Sequence, residues 1–298
     1  MRFLVTGASG LLGRWVCREI ERAGEPLVAW CLSRAEPGCV AVDLTSAEAV
    51  QMAFDAASPD VVLHLAAVSA MSDCARDPAR ARAVNATAVG TLARIVEGAG
   101  ARLVMVSTDL VFDGEDAPYD EEKGAAPASV YGRTKREGEV LALSMGSALV
   151  VRLALLFGPA LGGRKGFFDT QLETLRGAGS ISLFDDEWRT PLALDCAARS
   201  LVAVARTDAT GVLHLGGPER MSRSEMGVRL ARLAGADESC ILHVSRLSLP
   251  GERRVRDVSL DASRLRATVP AAASQILFED ACRVMLAISR SGGWSRPA

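Results

Sequence analysis

Short apolar runs alternate with amphipathic stretches of helix length through the first half of the chain. Arg2–Thr6, Leu27–Leu32, Val61–Leu65, Leu103–Ser107 and Leu149–Leu153 read as strands. Leu11–Ala23, Ala47–Ala57, Ala79–Gly98 and Val130–Met145 read as the helices between them. Strands that are apolar on both faces, each followed by a helix, predict an α/β fold with a doubly wound parallel sheet covered by helices. After Gly158 the rhythm loosens: Phe167–Arg176 reads as helix, Ile181–Phe184 as strand, and Leu192–Ala205 and Met226–Leu233 as helices around an apolar run at Val212. The organisation expected is a large unit over 1–157, with a returning segment at about 188–216, and a smaller discontinuous α/β lobe from 158–187 and 217–288. The aperiodic tail, 289–298, is expected to be disordered.

Charge adds little to this picture and the counts of two residue types add much. With 34 basic and 36 acidic side chains in 298 residues, 49% of them hydrophobic, the composition excludes a collagen, a disordered tail protein and a polybasic nucleic-acid binder. No apolar stretch reaches the ~18 residues of a membrane span, and no leader pattern opens the chain. The seven cysteines form no C-x-x-C pair, and nothing groups them with the three histidines as a metal site. A cytoplasmic protein that avoids membranes and nucleic acid is expected. Among the 34 basic residues, however, only Lys123, Lys135 and Lys165 are lysines, and Tyr119 and Tyr131 are the two tyrosines.

The first strand runs into Thr6-Gly7-Ala8-Ser9-Gly10-Leu11-Leu12-Gly13-Arg14, and a helix follows at once. Glycines 7, 10 and 13 allow a tight turn, close backbone approach to a pyrophosphate and close helix packing, while the helix N-terminus offers N–H groups to the anion. The strand–turn–helix context favours a dinucleotide site over a glycine turn that binds nothing. The second strand ends Cys31-Leu32-Ser33-Arg34, without the acid that would hold a bare adenosine ribose. Ser33, Arg34 and Arg14 suit a 2′-phosphate, which points to NADPH over NADH; a solvated loop arginine is the alternative for Arg34. Asp43 and Leu44 are candidates for the adenine side, and the small Ala66, Ala67 and Ser69 for the wall along which the cofactor lies.

Tyr131-Gly132-Arg133-Thr134-Lys135 carries the chemistry. With so few tyrosines and lysines, about 0.02 matches to Y-x-x-x-K are expected by chance. One turn of helix puts both side chains on the same face. A neighbouring ammonium is expected to favour the phenolate, and Lys135 can also bond ribose hydroxyls, so Tyr131 could exchange a proton with a carbonyl oxygen as hydride reaches its carbon. At the end of a buried strand, Thr108, with Ser107 second, offers a hydroxyl to the substrate oxygen; a purely structural hydroxyl is the alternative.

These residues together resemble the extended short-chain dehydrogenase/reductase family. The matches are the TGASGLLG turn, Asp43-Leu44, the HLAA segment at His64, Asn85, STDLVFDG at Ser107 and YGRTK at Tyr131. Within it the chain is similar to the branch of dTDP-4-dehydrorhamnose reductase-like nucleotide-sugar reductases, through Val111-Phe112-Asp113-Gly114, SVYGRTKREGE, Arg254 and Val258-Ser259-Leu260-Asp261. The resemblance implies a Rossmann sheet, Thr108, Tyr131 and Lys135 as catalytic residues, and Asn85 behind Lys135 in the cofactor site. It also implies a homodimer and a substrate side made of Ser69, Asp109, Leu110, Leu155, Arg189 and Arg254, the two arginines being candidates to face a diphosphate, with a surface salt bridge as the alternative for either. Asp109 is followed by Leu110 rather than a second acid, which argues against a dehydratase. Arg152 is followed by Leu153-Ala154-Leu155-Leu156 without an early aromatic, and Val255 stands where a proline is usual, so the sugar stays open. The activity expected is NADPH-dependent reduction of a 4-keto nucleotide sugar. An epimerase with retained NAD, a reductase of a non-sugar ketone, and a non-catalytic regulatory subunit are the alternatives.

Overall fold

A computed structural model describes residues 1–32, 38–162, 165–177, 179–248, 254–272 and 276–290. Through the first half the elements run β1 (Phe3–Thr6), α1 (Leu11–Arg22), β2 (Leu27–Cys31), β3 (Cys39–Ala41), α2 (Ala47–Ala57), β4 (Val61–His64), α3 (Met71–Arg76), α4 (Pro78–Arg82), α5 (Ala88–Gly98), β5 (Arg102–Thr108), α6 (Val130–Leu143) and β6 (Leu149–Leu153). The second half adds β7 (Leu156–Phe157), α7 (Phe167–Arg176), β8 (Ile181–Phe184), β9 (Trp188–Arg189), β10 (Leu192–Ala193), α8 (Leu194–Ala205), β11 (Gly211–Leu215), β12 (Met221–Ser222), α9 (Arg223–Ala234), β13 (Ile241–Val244), α10 (Ser263–Thr268) and α11 (Phe278–Arg290). Seven strands form one parallel sheet in the order β11-β6-β5-β4-β1-β2-β3.

The apolar runs dictate this arrangement. All four residues of β1 and of β4 are buried, as central strands covered on both faces must be. Alternate side chains feed two cores: Phe3, Val5, Val61 and Leu63 pack with α1 and α8, while Leu4, Val62 and Met105 pack with α2 and α5. The chain moves outward from β1 to β3 and then returns to the other side of β1 at β4. That reversal opens a crevice at the C-terminal ends of β1 and β4, where ligands of doubly wound sheets bind.

Two departures from the sequence expectation bear on the site. The helix expected over Ala79–Gly98 is split: a π-helical turn at Ala83–Thr87 separates α4 from α5. Asn85 sits in that turn, fully buried, with its amide drawn to the Val68 backbone and the Thr134 hydroxyl. In addition, Val111-Phe112-Asp113-Gly114 and the C-terminal Val258-Ser259-Leu260-Asp261 dock on each other through Tyr119. The Tyr119 ring stacks on Phe112 at 4.0 Å between centroids, and its hydroxyl takes the Gly114, Glu115 and Asp116 N–H groups and donates to Asp113. The Tyr119 N–H donates to Ser259 O at 2.8 Å and the Asp261 N–H to Tyr119 O at 2.7 Å. The second tyrosine is therefore a structural anchor that straps residues 254–261 across the end of the sheet.

Candidate active site

The crevice is a cavity of about 770 Å³. It begins at the glycine turn, where Gly7 has φ +68° and a Cβ on it would lie 2.8 Å from the Ala66 backbone. A Cβ on Gly13 would overlap the Gly7 carbonyl oxygen and stand 2.8 Å from Ala8 Cα, so α1 can lie against the turn only with glycine there. Gly10 caps α1 without a side-chain bond and no acid occupies the first turn. The helix therefore presents its N–H groups, with their partial positive charge, to the cavity. Ser9, Leu11, Leu12, Asp43, Leu44, Ala66, Ala67 and Ser69, the residues expected to face a cofactor, line it, joined by Trp30 and Arg80, which the sequence did not single out. Nothing periodic marks either one; only the fold places them there.

At its other end the same cavity reaches Ser107, Thr108, Tyr131 and Lys135. Ser129 caps α6 by accepting from the Gly132 N–H at 3.0 Å. A Cβ on Gly132 would overlap the Leu110 carbonyl, so this glycine lets the start of α6 press onto the loop after β5. Tyr131 is thereby held beside Thr108. Lys135, buried, donates to the Val106 carbonyl at 2.7 Å. Burial lowers its pKa to about 8 against the opposing charge of Glu139. Burial and the Asp109 carboxylate push the Tyr131 phenol up, while the Thr108 hydroxyl pulls the other way. Desolvation is the largest cause, opposite in sign to the shift expected from a neighbouring ammonium; the Lys135 Nζ points at a carbonyl, and the phenol stays protonated at neutral pH. Thr108 donates to Asp109 at 3.0 Å and accepts from the Leu110 N–H at 3.1 Å. Burial raises Asp109 to about 6 despite the nearby Arg189.

Three residues assigned to the cofactor stand differently in the structure. Arg14 is absent from the lining; its guanidinium donates to Ser9 O at 3.3 Å and to Leu161 O at 3.1 Å, because β7 and the loop after it offer carbonyls behind the turn. Asn85 stands behind the wall and bonds Val68 rather than the cavity. Ser107 lines the cavity, but its hydroxyl donates at 2.6 Å to Glu139, a buried carboxylate also held by Arg152 and Arg136. Ser33 and Arg34 lie outside the described residues.

A second cavity of about 170 Å³ is lined by Asp109 and Ser129, which lie one and two residues in sequence from Thr108 and Tyr131 of the first. Leu110, Leu155, Arg189 and Arg254, expected on the substrate side, line it together with Met71, Glu187, Arg223 and Val255. Antiparallel pairing of β9 with β12 sets Met221 opposite Arg189, and the strap brings in Arg254. Arg189 Nη2 is 3.1 Å from one Glu187 oxygen and Arg254 Nε is 2.7 Å from the other. Among the described residues no group of His, Cys, Asp and Glu is placed to hold a metal, and no helix is long and apolar enough to cross a membrane.

Comparison with known proteins decides the family. The model of the RmlD substrate binding domain matches residues 1–283. The chain belongs to this family. It is 33% identical to a dTDP-4-dehydrorhamnose reductase of Streptomyces griseus, over 89% of this chain and 87% of that protein. It is also 32% identical to methionine adenosyltransferase 2 subunit beta of Pongo abelii, over 89% of this chain and 81% of that protein. A crystal structure of a dTDP-4-dehydrorhamnose reductase from Clostridium acetobutylicum superimposes with a TM-score of 0.87 at 25% identity, covering 97% of this chain and 100% of that one. The RmlD-family chain thus has the Rossmann-like fold of nucleotide-sugar reductases.

Proposed function

We propose that the protein is an NADPH-dependent reductase of a keto nucleotide sugar. The observation that carries this reading is a single cavity joining a glycine turn at a helix N-terminus to Tyr131, Lys135 and Thr108. The open N–H groups of α1, the glycine positions that admit no Cβ and the small Ala66–Ala67 wall fit a dinucleotide. Those N–H groups would hold the pyrophosphate, Asp43 and Leu44 the adenosine side, and Lys135 the nicotinamide ribose. When bound, the nicotinamide supplies the hydride for the carbonyl carbon. Tyr131, kept protonated by its burial, donates its phenolic proton to the carbonyl oxygen, and Thr108 positions that oxygen.

NADPH is favoured because the described end of β2, Trp30-Cys31-Leu32, offers no carboxylate to a ribose hydroxyl. Ser33 and Arg34, which follow in the sequence, are the residues proposed to meet the 2′-phosphate. The test is a panel of dTDP- and UDP-linked keto sugars with NADPH or NADH, followed at the nicotinamide absorbance band. Tyr131→Phe should lower kcat by about 10²- to 10⁴-fold with NADPH affinity unchanged; turnover at the wild-type rate would overturn the proton-donor role. The likeness to methionine adenosyltransferase 2 subunit beta supports a second reading, a binding subunit on the same fold. NADPH binding with no turnover of any keto sugar, together with co-elution with a methionine adenosyltransferase, would select it.

A further inference from the structure

Three guanidiniums and two carboxylates surround the second cavity, and they are not equally engaged. Glu187, buried at 4% exposure, gives one oxygen to Arg189 and the other to Arg254. Arg189 also donates to Trp188 O at 2.6 Å and stands 3.7 Å from Asp109. Arg254 lies over the Phe184 ring at 4.4 Å. Arg223 opens α9, carried to this place by the β9–β12 pairing, and its backbone N–H donates to Glu187 O at 3.0 Å. Its guanidinium sits 4.4 Å over the Phe167 ring, lines the cavity, and has a buried Nη1 with no hydrogen-bond partner among the described residues. A buried guanidinium nitrogen without an acceptor is a strained arrangement that an incoming oxyanion relieves.

We propose that Arg223, rather than the Glu187-bound pair, receives an oxyanion of the ligand in this cavity. The charge count supports it: among the described lining residues Glu187 bonds both Arg189 and Arg254, Asp109 stands 3.7 Å from Arg189, and the third guanidinium, Arg223, has no carboxylate bonded to it. Burial lowers the Arg223 pKa to about 10, which leaves it cationic at neutral pH. The Phe167 ring on one side limits the approach to the guanidinium edge. Naming the oxyanion as the diphosphate of a nucleotide sugar rests on the reductase reading; a carboxylate on a keto acid shares the same chemistry.

The experiment is calorimetric titration of the full chain with dTDP, thymidine and malonate, comparing wild type with Arg223→Met and Arg223→Lys. Wild type should bind dTDP at least about 10-fold more tightly than thymidine, and Arg223→Met should weaken the anionic ligand by about 10- to 100-fold without changing thymidine. Arg223→Lys should keep part of the affinity, and unchanged NADPH affinity in both variants shows that the fold is intact. Loss of the dTDP preference identifies a diphosphate; loss of malonate binding identifies a carboxylate; either supports the role of Arg223. Equal anion binding by wild type and Arg223→Met overturns it, as does a wild type that binds neither anion better than thymidine. An Arg223-dependent anion preference in a protein that turns over no keto sugar would leave this inference standing and sink the reductase reading.

Discussion

Acid should loosen this protein through His64, one of three histidines in the chain. His64 ends β4 at 1% exposure, with Nδ1 2.8 Å from the Thr6 hydroxyl and Nε2 buried without a partner among the described residues. The Thr6 oxygen also accepts from the Ala66 N–H at 3.2 Å, and the direction of its bond to Nδ1 follows the ring tautomer. Burial, helped by the Lys135 charge, lowers the His64 pKa from 6.5 to about 3. With the folded pKa below the unfolded one, the unfolded chain takes up the proton first. The full contribution of His64 is present above about pH 6.5 and is lost as pH falls toward 3. At pH 5 the loss is 1.5 pH units at about 1.36 kcal/mol each, or about 2 kcal/mol. Urea titrations of wild type and His64→Asn at pH 7.5 and 5.0 isolate this share, because the other titrating groups cancel in the difference. Wild type should lose about 2 kcal/mol more than the variant over that interval. Parallel pH dependences would refute the assignment of a neutral, buried ring.

Two further outcomes follow from packing and charge. Gly13→Ala should lose about 1–3 kcal/mol in denaturant titration and weaken NADPH binding, since its Cβ would drive α1 off the Gly7 carbonyl; Gly98→Ala, where a Cβ meets nothing within 4 Å, is the control and should be neutral or up to about 1 kcal/mol more stable. Glu139→Ala should cost about 3–5 kcal/mol by leaving the buried Arg152 without its counter-charge, with Glu139→Gln intermediate.

The parts of the site that could be read from the sequence are those carried by local pattern. The glycine turn and Tyr131–Lys135 pair depend on residues within one turn or one helix, and the order of apolar runs places both at the same edge of a parallel sheet. Properties set by distant contacts were not legible. The direction of Arg14 is decided by a carbonyl 147 residues away, and Arg223 shares a cavity with Arg189 only because the two-residue strands β9 and β12 pair. The upward push on the Tyr131 phenol was not legible for a related reason: the sequence shows the adjacent lysine but not the dry surroundings that act on both groups. The break in the helix around Asn85 is likewise a response to the Val68 loop, which no periodicity announces.

The strap through Tyr119 has a consequence for engineering. Residues 254–261 belong by position to the end of the chain, yet they are fastened to the loop that follows β5 and so present Arg254 to a cavity whose floor is Asp109. A chimera that replaces the chain after β6 while keeping its own Tyr119 loop would mismatch that fastening, and the arginine would arrive out of register with the second cavity. The exchangeable unit is therefore not a contiguous block of sequence: new ligand specificity must be transplanted as the chain after β6, the strap and the Phe112–Tyr119 loop together.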